Sequence, residues 1–137
     1  MTLVPPRLLM AAAIGGASGA LLRHLLGELA PDRSGFPWTT FGINVVGSFL
    51  LALLPALAAV RRHRTVAVAL GPGVLGGFTT LSTYAEQGRA LLADGDVVLA
   101  ATYLVGTLLV CLVVVAMASR LSSPAARDEF AAEGGDE

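Results

Sequence analysis

Four long runs of apolar residues, Leu8 to Leu26, Trp38 to Val60, Val66 to Leu92 and Val97 to Ser119, make up most of this chain, with short polar segments between them. At about 1.5 Å of rise per residue, each run is long enough as a helix to cross roughly 30 Å of hydrocarbon. The pattern predicts four membrane spans. Their connections have turn-forming composition: Gly27 to Pro37 contains Pro31, Asp32, Gly35 and Pro37, Arg61 to Arg64 reads RRHR, and Asp94, Gly95 and Asp96 make the last return. From Ser122 onward Ala, Gly, Asp and Glu prevail without apolar periodicity. Residues 1–121 are therefore expected to form one membrane domain, and 122–137 a disordered tail.

The third run differs from the rest. Its middle reads GPGVLGGFTTLSTYAE, Gly71 to Glu86. Pro72 removes a backbone donor, and Gly73, Gly76 and Gly77 let the chain turn, so a break is expected at those residues. In hydrocarbon each unpaired backbone group costs several kcal/mol, and irregular backbone survives only where protein buries it or it lines a cavity. Exposed carbonyls there can hold a cation, whereas amide and hydroxyl donors can meet an anion. The same residues also permit a merely kinked helix whose hydroxyls bond back to its own carbonyls.

Other polar residues lie within the runs. Asn44 and Ser48, four apart, share a face of the second. They suit either a hydrogen bond between helices or an amide donor for a passing anion, which carries no fixed charge to trap it. Arg23 can snorkel to the headgroups or attract anions into a polar vestibule. Glu86 can cap a helix or pair with a basic group. Gly15 and Gly19, four apart beside Ser18, allow close approach of another helix. GGASG there lacks the strand and the downstream acidic residue of a dinucleotide site.

With 55% hydrophobic and 14% charged residues and a mean hydropathy of +0.74, the 137-residue chain is too apolar for an ordinary soluble domain. A cleaved signal peptide is the competing reading of the first run, but three further runs favour an uncleaved helix. The net charge is -1, and all nine basic residues are Arg. Arg7, Arg61, Arg62, Arg64, Arg120 and Arg127 share one side of a four-span chain. Arg33 and Arg89 lie on the other, with Arg23 near its boundary. That bias predicts cytoplasmic termini. Cys111 is the single cysteine, so no intrachain disulfide is possible. No acidic residue lies centrally in a span, which argues against a small proton-coupled drug exporter.

Three segments together, GGASGALLRHLL (Gly15 to Leu26), TTFGINVVGSFLLALL (Thr39 to Leu54) and GVLGGFTTLSTYAEQ (Gly73 to Gln87), resemble the CrcB/Fluc fluoride channel family, and the likeness covers most of the chain. The resemblance implies an all-α membrane protein of four transmembrane helices with a broken third. Two protomers would form an antiparallel dimer with two fluoride pathways and a central structural Na+. Carried onto this chain, it implies a fluoride pathway of Arg23, Asn44, Ser82, Thr83, Tyr84 and Tyr103, with sodium on the carbonyls of Gly76 and Thr79. The activity implied is passive fluoride export across a bacterial plasma membrane, with no enzymatic step. Three residues depart from the family pattern: Thr39 replaces a glycine, Leu81 an aromatic whose ring edge would face the anion, and Cys111 a small residue. Leu81 keeps a second reading open, a pore-degenerate subunit of a heterodimer with an oppositely oriented relative.

Overall fold

The computed structural model describes residues 4–33 and 35–121, so the expectation for the tail lies outside the described residues. Four segments are long and apolar enough to cross a membrane: Pro6–Leu29, Trp38–Ala56, Arg64–Ala93 and Val97–Leu121. This is a multi-pass, all-α membrane protein. The first span is one helix, α1 (Pro6–Leu29), with proline in its first turn, where no partner for a backbone N–H is lost. The second is α2 (Trp38–Leu53), which tightens into a 3-10 turn at Leu54–Ala56. It does not run on to Val60 as the apolar pattern predicts, because Pro55 cannot continue an α-helix. The short helices α3 (Ala58–Arg62) and α4 (Arg64–Val68) follow. Arg61 Nη1 donates to the carbonyls of Pro55 (2.9 Å) and Ala56 (3.0 Å), which satisfies the end of the second span.

The third span is interrupted, though not where Pro72 suggests. Ala69–Leu75, Pro72 included, forms a π-helical stretch whose wider turn accommodates a residue that cannot donate. It leads into the single turn α5 (Gly76–Phe78). The break falls just after, at Thr79 (φ -72°, ψ 158°) and Thr80 (φ -146°, ψ 118°), both extended. Helix α6 (Leu81–Ala93) restarts the span, and α7 (Val97–Leu121) is the fourth. In the returns, Gly35 (φ 75°) and Gly95 (φ 85°) take the left-handed conformation that favours glycine.

Helix α1 packs along the π-helical stretch and α5, while α2 and α6 pack along α7. The first contact is backbone against backbone. A Cβ on Gly15 would strike the Ala69 carbonyl, on Gly19 the Val74 carbonyl, and on Gly77 the Gly16 carbonyl. Gly15 and Gly19 thus serve the close approach their spacing predicts. On the opposite side, Gly47 lets α2 reach the break, because a Cβ there would meet the Thr79 methyl. A small core of Leu54, Val60 and Leu75 fills the α3–α4 end. Many large apolar residues of α1 and α7, among them Leu9, Ile14, Leu22, Leu109 and Val113, stay exposed on the single chain, as suits a surface whose solvent is lipid or another helix.

Candidate functional site

The broken span organises the polar residues. An α-helix leaves its last carbonyls without intrahelical donors and the next helix leaves its first amides without acceptors, and here both sets meet inside a membrane domain. Asn44 of α2 serves both. Its Nδ2 donates to the Thr80 carbonyl (3.0 Å), and its Oδ1 accepts from the Thr80 amide (2.8 Å). The Thr80 hydroxyl then caps α6 by accepting from the Thr83 amide (3.1 Å), donates to the Thr83 hydroxyl (3.0 Å), and lies 3.3 Å from the Ser82 hydroxyl. Arg23 completes the set, its Nε donating to the Gly77 carbonyl at 3.2 Å. Thr79 alone follows the kinked-helix expectation, with its hydroxyl bonded back to the Leu75 carbonyl (2.9 Å).

These bonds redirect two amides. In an unbroken helix Thr80 N–H would serve the Gly76 carbonyl, and Thr83 N–H the Thr79 carbonyl. Here they go to Asn44 Oδ1 and Thr80 Oγ1. The Gly76 and Thr79 carbonyls are deprived of their helical donors, and Gly76 is exposed on the chain surface.

Two cavities flank the break. A vestibule of about 480 Å³ is lined by polar residues that include Arg23, Glu28, Asp32, Thr40, Thr83 and Gln87. A smaller one of about 260 Å³ is lined by Asn44, Ser48, Leu81, Tyr84, Thr107 and Cys111 among others. Among the described residues, Thr80 is the one lining residue they share. Asn44 has a second Nδ2 hydrogen beyond the one given to Thr80. The buried Thr107 hydroxyl has no hydrogen-bond partner among the described residues. Both residues line the smaller cavity, where the Asn44 hydrogen is a donor for a small polar occupant, while the Thr107 oxygen is sealed from it.

The expected residues take up different settings. Asn44, Ser82 and Thr83 gather around Thr80, and Arg23 lines the vestibule. Tyr84 lines the smaller cavity, but its hydroxyl is engaged, donating to the Leu104 carbonyl at 2.6 Å. Tyr103 is fully buried, lines neither cavity, and donates to Gln87 Oε1 at 2.8 Å. Its ring lies 5.3 Å from that of Tyr84 and edge-on to Phe36 at 5.4 Å. Glu86 pairs with Arg89 through two hydrogen bonds of 2.6 and 2.9 Å on an exposed face.

Comparison with known proteins places this arrangement. The family model for CrcB-like protein, Camphor Resistance (CrcB), matches residues 10–119. The chain belongs to the CrcB family. A fluoride-specific ion channel FluC 2 of Nocardia farcinica is 43% identical over 128 residues, covering 89% of this chain and 91% of that protein. A fluoride-specific ion channel FluC of Thermus thermophilus is 41% identical over 112 residues, 80% of this chain and 90% of the relative. One from Agrobacterium fabrum is 39% identical over 107 residues, 75% and 86% respectively. The matched region takes in α2 to α6 whole and all but the outer ends of α1 and α7.

Two members of the site escaped the reading of the sequence. Thr80 was detectable as an N-cap threonine, since its side chain meets the amide three residues on. Thr107 was detectable from Tyr103, Thr107 and Cys111, which recur every four residues along one face of α7.

Proposed function

We propose that this protein is a passive, fluoride-selective export channel of the bacterial plasma membrane. Fluoride is small and strongly hydrated, so a pathway must replace its water with donors yet hold it weakly enough to release it. Arg23 draws the anion into the vestibule. Thr83 and Ser82 lead it past Thr80, and the spare hydrogen of Asn44 and the ring edge of Tyr84 receive it beyond. The Tyr84 hydroxyl takes no part, because Leu104 holds its proton. A weakly acidic medium delivers fluoride as permeant HF that dissociates inside, and the channel lets the ion run downhill out of the cell. The observation that carries this reading is one polar residue, Thr80, lining both cavities at a helix break braced by Asn44, in a chain whose relatives are named fluoride-specific channels.

The same reading includes a dimer with an oppositely oriented copy or relative, which would cover the exposed apolar faces of the single chain. The Gly76 and Thr79 carbonyls suit Na+, a hard cation that prefers oxygen, and they sit where helical donors have been withdrawn. They would hold the ion as a structural link between protomers. Leu81, 78% exposed yet lining the smaller cavity, favours the heterodimer, since a partner could supply the aromatic this chain lacks.

Fluoride efflux from proteoliposomes loaded with the purified protein tests the proposal. Fluoride should pass far faster than chloride. Absence of fluoride flux from both the protein alone and a verified heterodimer would overturn the channel, and robust flux from this chain alone would rule out an obligate partner. Cysteines introduced in the Arg61 to Arg64 loop and labelled from each side of intact cells, in a chain with Cys111 replaced, report orientation. Equal labelling from both sides would reject a fixed topology.

A further inference from the structure

A chain of hydrogen bonds runs from the α1–α2 return into the fourth span. Asp32 Oδ1 accepts from the Thr39 amide (2.9 Å), and Oδ2 accepts from the Thr40 amide (3.1 Å), the Thr40 hydroxyl (3.1 Å) and Gln87 Nε2 (3.2 Å). Gln87 Oε1 in turn accepts from the Tyr103 hydroxyl at 2.8 Å. A carboxylate offers acceptors alone, whereas a glutamine amide can present either end. Gln87 can meet Asp32 only with its NH2, so its carbonyl must face the other way, where Tyr103 donates to it. The direction of the whole chain is fixed at Asp32.

That direction matters because of where its members lie. Asp32 and Gln87 line the vestibule, while Tyr103 is fully buried and lines neither cavity. The Nε2 end of Gln87, with one hydrogen beyond that given to Asp32, is therefore on the vestibule side, and its carbonyl is on the buried side. Turned over, the same side chain would offer an arriving anion a repelling oxygen.

We propose that Asp32 is a positioning residue of the anion pathway, a carboxylate at its mouth that locks Gln87 as a hydrogen-bond donor facing the vestibule. The negative charge this places near an anion route is met by the four donors on its oxygens, and Arg23 lines the same cavity. The proposal rests on the fluoride-channel reading above.

The test measures flux against internal fluoride concentration in proteoliposomes, together with the side-chain amide signals of Gln87 in 15N-labelled protein, assigned by their loss in Gln87→Leu. In Asp32→Ala the acceptor that holds the Gln87 NH2 is gone, and Gln87 is free to turn over. The half-saturating fluoride concentration should rise about fivefold, the size expected for one ordinary hydrogen bond. The maximal rate should hold, because the donor acts at the mouth. Asp32→Glu, still acceptor-only, should restore both the concentration dependence and the amide signals. Gln87→Leu leaves the bonds to α2 intact and should show the same rise, with the double variant no worse than Gln87→Leu alone. Parent-like concentration dependence in assembled Gln87→Leu overturns the proposal even if Asp32→Ala does not assemble, as do additive defects or Gln87 signals indifferent to Asp32. A parent that passes no fluoride overturns the channel reading and the claim on the anion with it, and the amide signals then decide separately whether Asp32 sets the orientation.

Discussion

The two sides of the broken third span are held by different physics. Toward α1 the contact is mainly steric: apart from the Arg23 bond to Gly77, Gly15, Gly19 and Gly77 bring backbones together so closely that a single methyl group would collide with a carbonyl. Toward α2 and α7 the contact is chemical. Asn44, Asp32, Gln87 and Tyr103 connect the elements through directional hydrogen bonds that leave room for two cavities. The first side fixes where the break sits in space. The second decides which donors and acceptors face the path, so the two should fail in different ways when altered.

The largest effect is expected on the steric side. Gly19→Ala or Gly77→Ala forces backbone apart, at about 1–3 kcal/mol or more for overpacking of this kind, and the yield of assembled protein in size-exclusion chromatography should collapse. Gly106→Ala, whose Cβ would meet nothing within 4 Å, should instead leave assembly unchanged or raise the melting temperature slightly, because alanine is the better helix former. Equal tolerance at both positions would mean that α1 does not hold the break. On the chemical side, Asn44→Ala leaves the Thr80 amide and carbonyl without partners at about 1–3 kcal/mol each. Fluoride flux should fall by about a hundredfold while a fraction still assembles. Parent-like flux from assembled Asn44→Ala would separate the asparagine from the path.

Smaller effects should sharpen the contrast. Leu81→Phe restores an aromatic where the resemblance expects one, without touching either set of contacts, and should raise flux of the protein alone by about two- to fivefold, as one favourable edge contact would. Thr39→Gly removes a hydroxyl that donates to the Ala30 carbonyl at the end of α1. Its amide still reaches Asp32, so stability should fall by only about 1 kcal/mol, read as a small drop in melting temperature, with flux preserved.

The steric side was the easier to read from sequence. Four apolar runs and the Gly15–Gly19 spacing report a period and a residue size, and both survive folding with little dependence on context. The position of the break was harder. Pro72 is the stronger local signal, yet a π-helical turn absorbs it, while the chain actually parts at Thr79 and Thr80, where Asn44 supplies a substitute for the helical bonds. That substitution depends on a residue 36 positions away, which no local rule contains. Tyr84 and Tyr103 illustrate the same limit. Their types announce a hydroxyl, but only the folded chain reveals that Leu104 and Gln87 already hold the protons.

Arg61 carries a consequence for how such a chain could change its orientation over evolutionary time. Arginines in this loop contribute to the charge asymmetry that steers insertion, and Arg61 also closes the second span through Pro55 and Ala56. A lineage drifting toward insertion both ways could shed the exposed Arg62 and keep a well-ended helix, whereas loss of Arg61 would bare two carbonyls as it lightened the charge. Topological drift in this chain is thus channelled: some arginines are ballast that can be thrown over, and one is also a rivet.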